Sequence, residues 1–249
     1  MPHRSWLRTA AVASLVAVTL GVPVSQAQAA PNCASPTQLT LLHFNDFHGR
    51  LASASPDTVQ FVGTIEELRT KSGDANTILL SGGDSVGASL FASFAQNDEP
   101  TLELLRAMGI SASAAGNHEY DQGWPDLRDR IAPGVNFPYL AANVTDASGT
   151  SVLPAYTVID KAGLKVGVVG AVTGDLPSLV SPAGLTGLSV GDPVAAVNKT
   201  IAQLKDGNAA NGEADVIVVE YHEGAPAGAS TSTLASNVAA SPAFANIVN

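Results

Sequence analysis

The sequence predicts an α/β layered fold, and three observations point to it. Short apolar stretches with strand character alternate with amphipathic helical stretches along most of the chain. The 249 residues are 45% hydrophobic and only 14% charged, which supplies a core and excludes a solvated disordered chain. Acidic, histidine and asparagine residues collect beside glycines just past the apolar stretches. That is where ligands gather in open α/β sheets.

The first segment reads as an export signal. Arg4 and Arg8 precede an apolar run from about Ala10 to Val24, short for a membrane span, which ends at Ala27-Gln28-Ala29. The small-x-small ending suits a signal peptidase. Residues 1–29 are therefore expected to be a signal peptide, and 30–249 the exported domain, secreted or held in the periplasm or cell envelope. A membrane anchor is the alternative. Cleavage removes two arginines and no acids, taking the formal charge from −10 to −12. So acidic a chain is not expected to bind a nucleic-acid polymer, and any anionic substrate needs a local positive charge such as a bound metal. The single cysteine, Cys33, excludes an internal disulfide framework and a Cys-rich zinc module.

The remaining elements follow in order. Leu39 to Asn45 reads as a buried strand. Asp57 to Lys71 reads as a helix with Val59, Val62, Ile65 and Leu68 spaced three apart. Thr77 to Leu80 is a short strand ending in Ser81-Gly82-Gly83, and Thr101 to Met108 is a helix closed by Gly109. Ile110 to Ala115 is a weak strand, and a helix is expected around Asp126 to Ala132. Tyr139 to Val144, Ala155 to Ile159 and Lys165 to Val172 read as strands. Pro193 to Lys205 is a helix, Asp215 to Tyr221 a strongly apolar strand, Ala225 to Ala240 a loop, and Pro242 to Val248 a last helix.

The strand ends deliver the chemistry. The first delivers Asn45-Asp46-Phe47-His48-Gly49, the second Gly82-Gly83-Asp84-Ser85, the third Gly116-Asn117-His118-Glu119-Tyr120-Asp121, and the last His222-Glu223-Gly224. Beyond the signal there are four histidines, and three of them fall at these ends. Asp46 and His48 are two apart, so in extended backbone both face one side and can reach one metal. Taken singly, each group has a plainer reading: a polar strand end for Asp46 and His48, a turn or helix cap for Asp84, a surface turn for Asn117 and His118, and a core-edge histidine for His222. His43, inside the first strand, reads as structural. Together they make an oxygen and nitrogen donor set without thiolate, which suits Zn, Mn, Fe or Mg. One Asp carboxylate can bridge two ions about 3.5–4 Å apart, an arrangement used in phosphoester hydrolysis.

In order along the chain, Leu42-His43-Phe44-Asn45-Asp46-Phe47-His48-Gly49, Gly83-Asp84, Gly116-Asn117-His118-Glu119 and His222 resemble the blocks of the calcineurin-like metallophosphoesterases. Asn45-Asp46-Phe47-His48-Gly49-Arg50-Leu51 and Asn117-His118-Glu119-Tyr120-Asp121 resemble in particular the secreted 5′-nucleotidases, a family that also holds UDP-sugar hydrolases and 2′,3′-cyclic nucleotide phosphodiesterases. The resemblance implies a layered α-β-β-α sandwich with mixed sheets, two divalent metal ions (Zn, Mn, Mg or similar) and a nucleotide or other phosphoester substrate. Carried over by position, Asp46 and His48 hold one metal, Asp84 bridges both, and Asn117 and His222 hold the second. His118 contacts the phosphate as the catalytic histidine, and Asp121 orients it. The family's Gly-His-x-His block after the last histidine is not found here, nor is its C-terminal nucleobase-binding domain, so the domain is expected to be C-terminally incomplete and weakly active or inactive as it stands. Two rival readings are a non-catalytic binding module and a serine esterase built on Gly83-Asp84-Ser85. The esterase lacks the later Asp-x-x-His pair it requires.

Overall fold

A computed structural model describes residues 37–51, 57–229 and 231–248. The expected signal peptide and Cys33 lie outside the described residues. Among the described residues no helix is long and apolar enough to cross a membrane.

Two sheets pack face to face. The first runs β1 (Thr40–Phe44), β2 (Thr77–Ser81), β3 (Ala112–Ala114) and β4 (Tyr139–Leu140), all parallel. A two-stranded ribbon pairs β5 (Val144–Asp146) with β8 (Leu188–Val190). The second main sheet is mixed: β7 (Leu164–Val172) lies between antiparallel β6 (Tyr156–Lys161) and parallel β9 (Val216–His222). The helices are α1 (Asp57–Ser72), α2 (Phe91–Phe94), α3 (Glu99–Ala107), α4 (Trp124–Asp126), α5 (Leu176–Leu179), α6 (Pro193–Leu204), α7 (Leu234–Ala240) and α8 (Pro242–Val248).

Strand alternation builds the layers. On β2, Ile78 and Leu80 point to the inter-sheet core with Val166 and Val168 of β7. Leu79 points the other way, into a core shared with Ile65 of α1 and Leu102 and Leu105 of α3. On β7, Val169 and Ala171 face Val197 and Leu204 of α6. The order is helix, sheet, sheet, helix. This is the layered α/β fold with parallel and mixed sheets that the sequence predicts.

Several element boundaries differ for physical reasons. Val59 and Leu68 do not share a buried face of α1: they are 75% and 41% exposed. Nine residues make about 2.5 turns, which puts the two on opposite sides, and packing falls instead on Phe61, Val62 and Ile65. The stretch Tyr139 to Val144 is not one strand. After β4 the buried Asn143 side chain donates to Val172 O at 2.8 Å and accepts from Val172 N at 3.0 Å, replacing a ladder pair and turning the chain into β5. The expected helix around Asp126 to Ala132 forms as the short α4 followed by a π-helical turn at Leu127–Ile131. The expected loop Ala225 to Ala240 contains α7, capped by Thr233, whose side chain and that of Ser236 each accept from the other's backbone N–H.

Candidate metal centre

The described site lies at the carboxyl ends of β1, β2 and β3 in one sheet and β9 in the other. Past β1 the chain does not stay extended. It runs beside the turn after β2 through Asp46 N→Gly83 O (3.1 Å), His48 N→Asp84 O (2.9 Å) and Gly49 N→Ser85 O (3.0 Å). Asp46, His48 and Asp84 have left-handed backbones, with φ of 54°, 49° and 52°. The extended two-residue alternation expected for Asp46 and His48 is therefore replaced by paired turns. Left-handed backbone costs a non-glycine residue about 1 kcal/mol or more, and such strain gathers at functional sites. The turns after β2 and β3 touch closely enough to demand glycine. A Cβ on Gly116 would lie 2.1 Å from Asp84 Oδ1, and one on Gly83 would lie 2.5 Å from Gly116 N.

Asp84 is central and 3% exposed. Its Oδ2 lies 3.2 Å from His222 Nε2 and 3.8 Å from His48 Nε2, and its Oδ1 accepts from His118 N at 2.8 Å. His48 Nε2 is 3.6 Å from Asp46 Oδ1, and His222 Nε2 is 3.2 Å from Asn117 Oδ1. His118 Nδ1 is 2.8 Å from Asp121 Oδ2, and its ring meets that of His48 edge-on with centroids 4.9 Å apart. Two groups of possible metal donors result: Asp46, Asp84 and His222, and His48, Asp84 and His118, each with its atoms within 4.8 Å of one another. Asp84 belongs to both. The structure thus brings every sequence-predicted site residue into one constellation, with a different grouping. Asp46 sits with His222, and His118 sits beside His48 and Asp84.

The imidazoles suit a cation. Nδ1 of His48 faces Gly87 O at 2.9 Å and Nδ1 of His222 faces Gly82 O at 2.8 Å. A carbonyl accepts a proton from Nδ1, which leaves Nε2 with its lone pair on the Asp84 side. Burial works against charge on Asp84, but the hydrogen bond from His222 and the backbone N–H of His118 hold its carboxyl below the usual range. Burial likewise works against His222, yet the Asp84 carboxylate pushes its pKa up to about 9. His118 is also raised: desolvation opposes this, and Asp121 and then Asp84 outweigh it. Two histidines drawn to the protonated state around buried carboxylates mark a place with a surplus of negative charge. A cavity of about 620 Å³ opens beside it, lined in part by Asp46, Asp84, Asn117, Tyr221 and His222.

One residue given no role from the sequence holds the site together. Glu119 is fully buried, and its carboxylate accepts from Asp84 N (2.8 Å), Ser85 N (2.8 Å) and Gly116 N (2.6 Å). Burial, followed by the nearby Asp84 charge, raises its pKa, and the backbone donors oppose that rise. In sequence it is an acid in a turn, which looks like any solvated acid. The flanking glycine turns were the available signal.

The family model for calcineurin-like phosphoesterases matches residues 39–246. The 5′-nucleotidase of Vibrio vulnificus is 32% identical over 219 residues, 83% of this chain and 38% of that protein. The 5′-nucleotidase of Diplobatis ommata is 36% identical over 165 residues, 60% of this chain and 28% of that protein. The chain thus spans between 28% and 38% of the length of these relatives. The crystal structure of the calcineurin-like phosphoesterase YfkN from Bacillus subtilis superposes with a TM-score of 0.60 at 25% identity, covering 77% of this chain and 64% of that one.

Proposed function

The chain belongs to the calcineurin-like phosphoesterase family, and on that premise we propose that it hydrolyses phosphate esters of extracellular nucleotides, in the manner of a 5′-nucleotidase, at a site for two divalent cations. The observation that carries this reading is the sharing of buried Asp84 between two donor groups. A carboxylate common to both can hold two cations at bridging distance. The donors fit: oxygen and imidazole nitrogen, no thiolate, and Nδ1 atoms already committed to backbone carbonyls. Asp46 and His48, with donor atoms 3.6 Å apart, would hold one cation with Asp84, and Asn117 and His222, 3.2 Å apart, the other, which leaves His118 to the phosphate.

When bound, the cations supply Lewis acidity toward the phosphoryl oxygens and lower the pKa of an attacking water. The chain's own residues do the rest. Asp84 stays ionised because His222 and the His118 N–H favour its anion. His118 is oriented by Asp121 at Nδ1, which leaves Nε2 to donate to a phosphoryl oxygen or to the leaving oxygen. Against desolvation, Asp121 and then Asp84 raise the pKa of that ring, which favours the cationic form that stabilises charge building on phosphate. The names of the similar proteins support a nucleotide as substrate. The apolar run before residue 30 supports export.

The test is calorimetric titration of the chain with Mn²⁺, paired with phosphate release from AMP and hydrolysis of a carboxylester. The reading expects two cations bound weakly per chain, slow but metal-dependent phosphate release and no esterase activity. Cation binding without phosphate release would leave a binding module. Ester cleavage that survives a chelator would point to Ser85.

A further inference from the structure

His43 was read as structural, and the structure gives it a specific partner. Among the described residues β1 and β9 are edge strands of their sheets. Side chains of the inter-sheet layer are apolar up to Leu80, the register partner of His43, and Val218, two residues before Glu220 on the same face of β9. Level with Leu80 the layer turns polar at its edge: His43 Nε2 lies 2.8 Å from Glu220 Oε2. Glu220 is 7% exposed, so its carboxylate depends on this partner. The His43 ring also presses on Gly82, where a Cβ would come 2.9 Å from Nε2. Gly82 is the residue whose carbonyl faces His222 Nδ1.

The contacts close a circuit. His43 on β1 holds Glu220 on β9; two residues on, His222 faces Gly82 at the end of β2; Gly82 lies against His43. His43 stands three residues before Asp46, and Glu220 two before His222, so the pair bridges the sheets just behind the two arms that converge on Asp84. From this geometry we propose that His43 and Glu220 are a positioning pair. They set the gap between the sheets and thereby hold His222 against Asp84 and Asn117. His43 also lines the cavity beside the site, but neither residue belongs to a donor group. The consequence for metal binding rests on the two-cation reading, but the contact geometry does not.

The test combines Mn²⁺ titration with a metal-free measurement, the exchange rate of the His222 Nδ1 proton by nuclear magnetic resonance. His43→Ala and Glu220→Ala should each weaken Mn²⁺ binding by about 10- to 100-fold, the usual effect of losing a group that orients a metal ligand. The double variant should be no weaker than the worse single one, because both remove the same contact. His43→Gln, which keeps a donor facing Glu220, should recover most of the affinity, a rescue that general destabilisation does not produce. In metal-free protein the His222 proton should exchange slowly in wild type and His43→Gln, and fast in both alanine variants. Thermal melting identifies any variant that fails to fold, in which case Glu220→Gln replaces Glu220→Ala. Additive losses, unchanged affinity or unchanged exchange would overturn the pair. If wild type takes up no Mn²⁺, the two-cation reading fails, and the exchange data still decide the pair.

Discussion

Asp84 combines a left-handed backbone, near-complete burial and a place in both donor groups. Of the carboxylates beside it, Asp46 belongs to one donor group and Glu119 is taken up by backbone N–H groups. Asp84→Ala should therefore abolish cation binding and phosphate release together, while wild-type metal stoichiometry in that variant would refute the assignment. His118 is the discriminating residue. If it acts on phosphate, His118→Asn lowers kcat by about 10²–10⁴ with metal content unchanged. Its position beside His48 and Asp84 gives the alternative a clear signature: loss of one cation on the same substitution makes it a ligand. At this scale the sequence was informative because the groups sit at strand ends next to glycines, and their convergence follows from a parallel sheet. What it could not show was backbone conformation. Extended geometry was expected at Asp46 and His48, where paired turns hold both in left-handed φ. The partners of the imidazole Nδ1 atoms were equally hidden, since Gly82 O and Gly87 O come from other segments.

The turns after β2 and β3 work as one unit because Glu119 accepts backbone donors from both. An amide in its place has one acceptor oxygen and an NH₂ group facing other N–H donors. Glu119→Gln should cost about 3 kcal/mol from donors left unpaired in a buried place, or a fall in Tm of roughly 6–12 °C. Part of that loss should appear as weaker Mn²⁺ binding, since Asp84 loses its backbone anchor. A melting curve and a cation titration on the same sample check both effects, and an unchanged melt would show the contact to be dispensable. Elements were legible where one period or one cap dominates. Helix α6 was clear from Pro193 and its spaced apolar residues, of which Val197 and Leu204 are buried. The break between β4 and β5 was not, because Tyr139 to Val144 is continuously apolar until Asn143, and nothing local says that this side chain will pair with Val172. Helix α7 was hidden by an Ala- and Ser-rich composition, although Thr233 and Ser236 spell its cap.

At the scale of the molecule, one sheet supplies Asp46, Asp84, Asn117 and His118, and the other supplies His222. Alternation of strand and helix was enough to predict the α/β class. The layer order came from the family resemblance, and the cross-sheet contacts from neither, since sequence patterns carry no information on which edges face each other. This two-sheet construction makes a pH prediction with opposite signs in the two states. In metal-free protein the pKa of His222 is raised from 6.5 to about 9 by Asp84. Its ion pair stabilises the fold fully below pH 6.5, and that contribution is lost as pH rises through about 9. The Asp84 side of the pair behaves conversely: its carboxyl is lowered, so its contribution is present above the usual carboxylate range and lost only as pH falls through the depressed value. Metal-free thermal stability should therefore decline between pH 6.5 and 9. Cation binding must displace the proton that His222 holds, so affinity should rise over the same window, by about tenfold per pH unit for one proton displaced, and level off above pH 9. Melting curves with chelator and with saturating Mn²⁺ across pH 6–10 would show the two lines diverging. Parallel lines would mean that His222 is not the group a cation replaces, and the second sheet would then have no part in the metal centre.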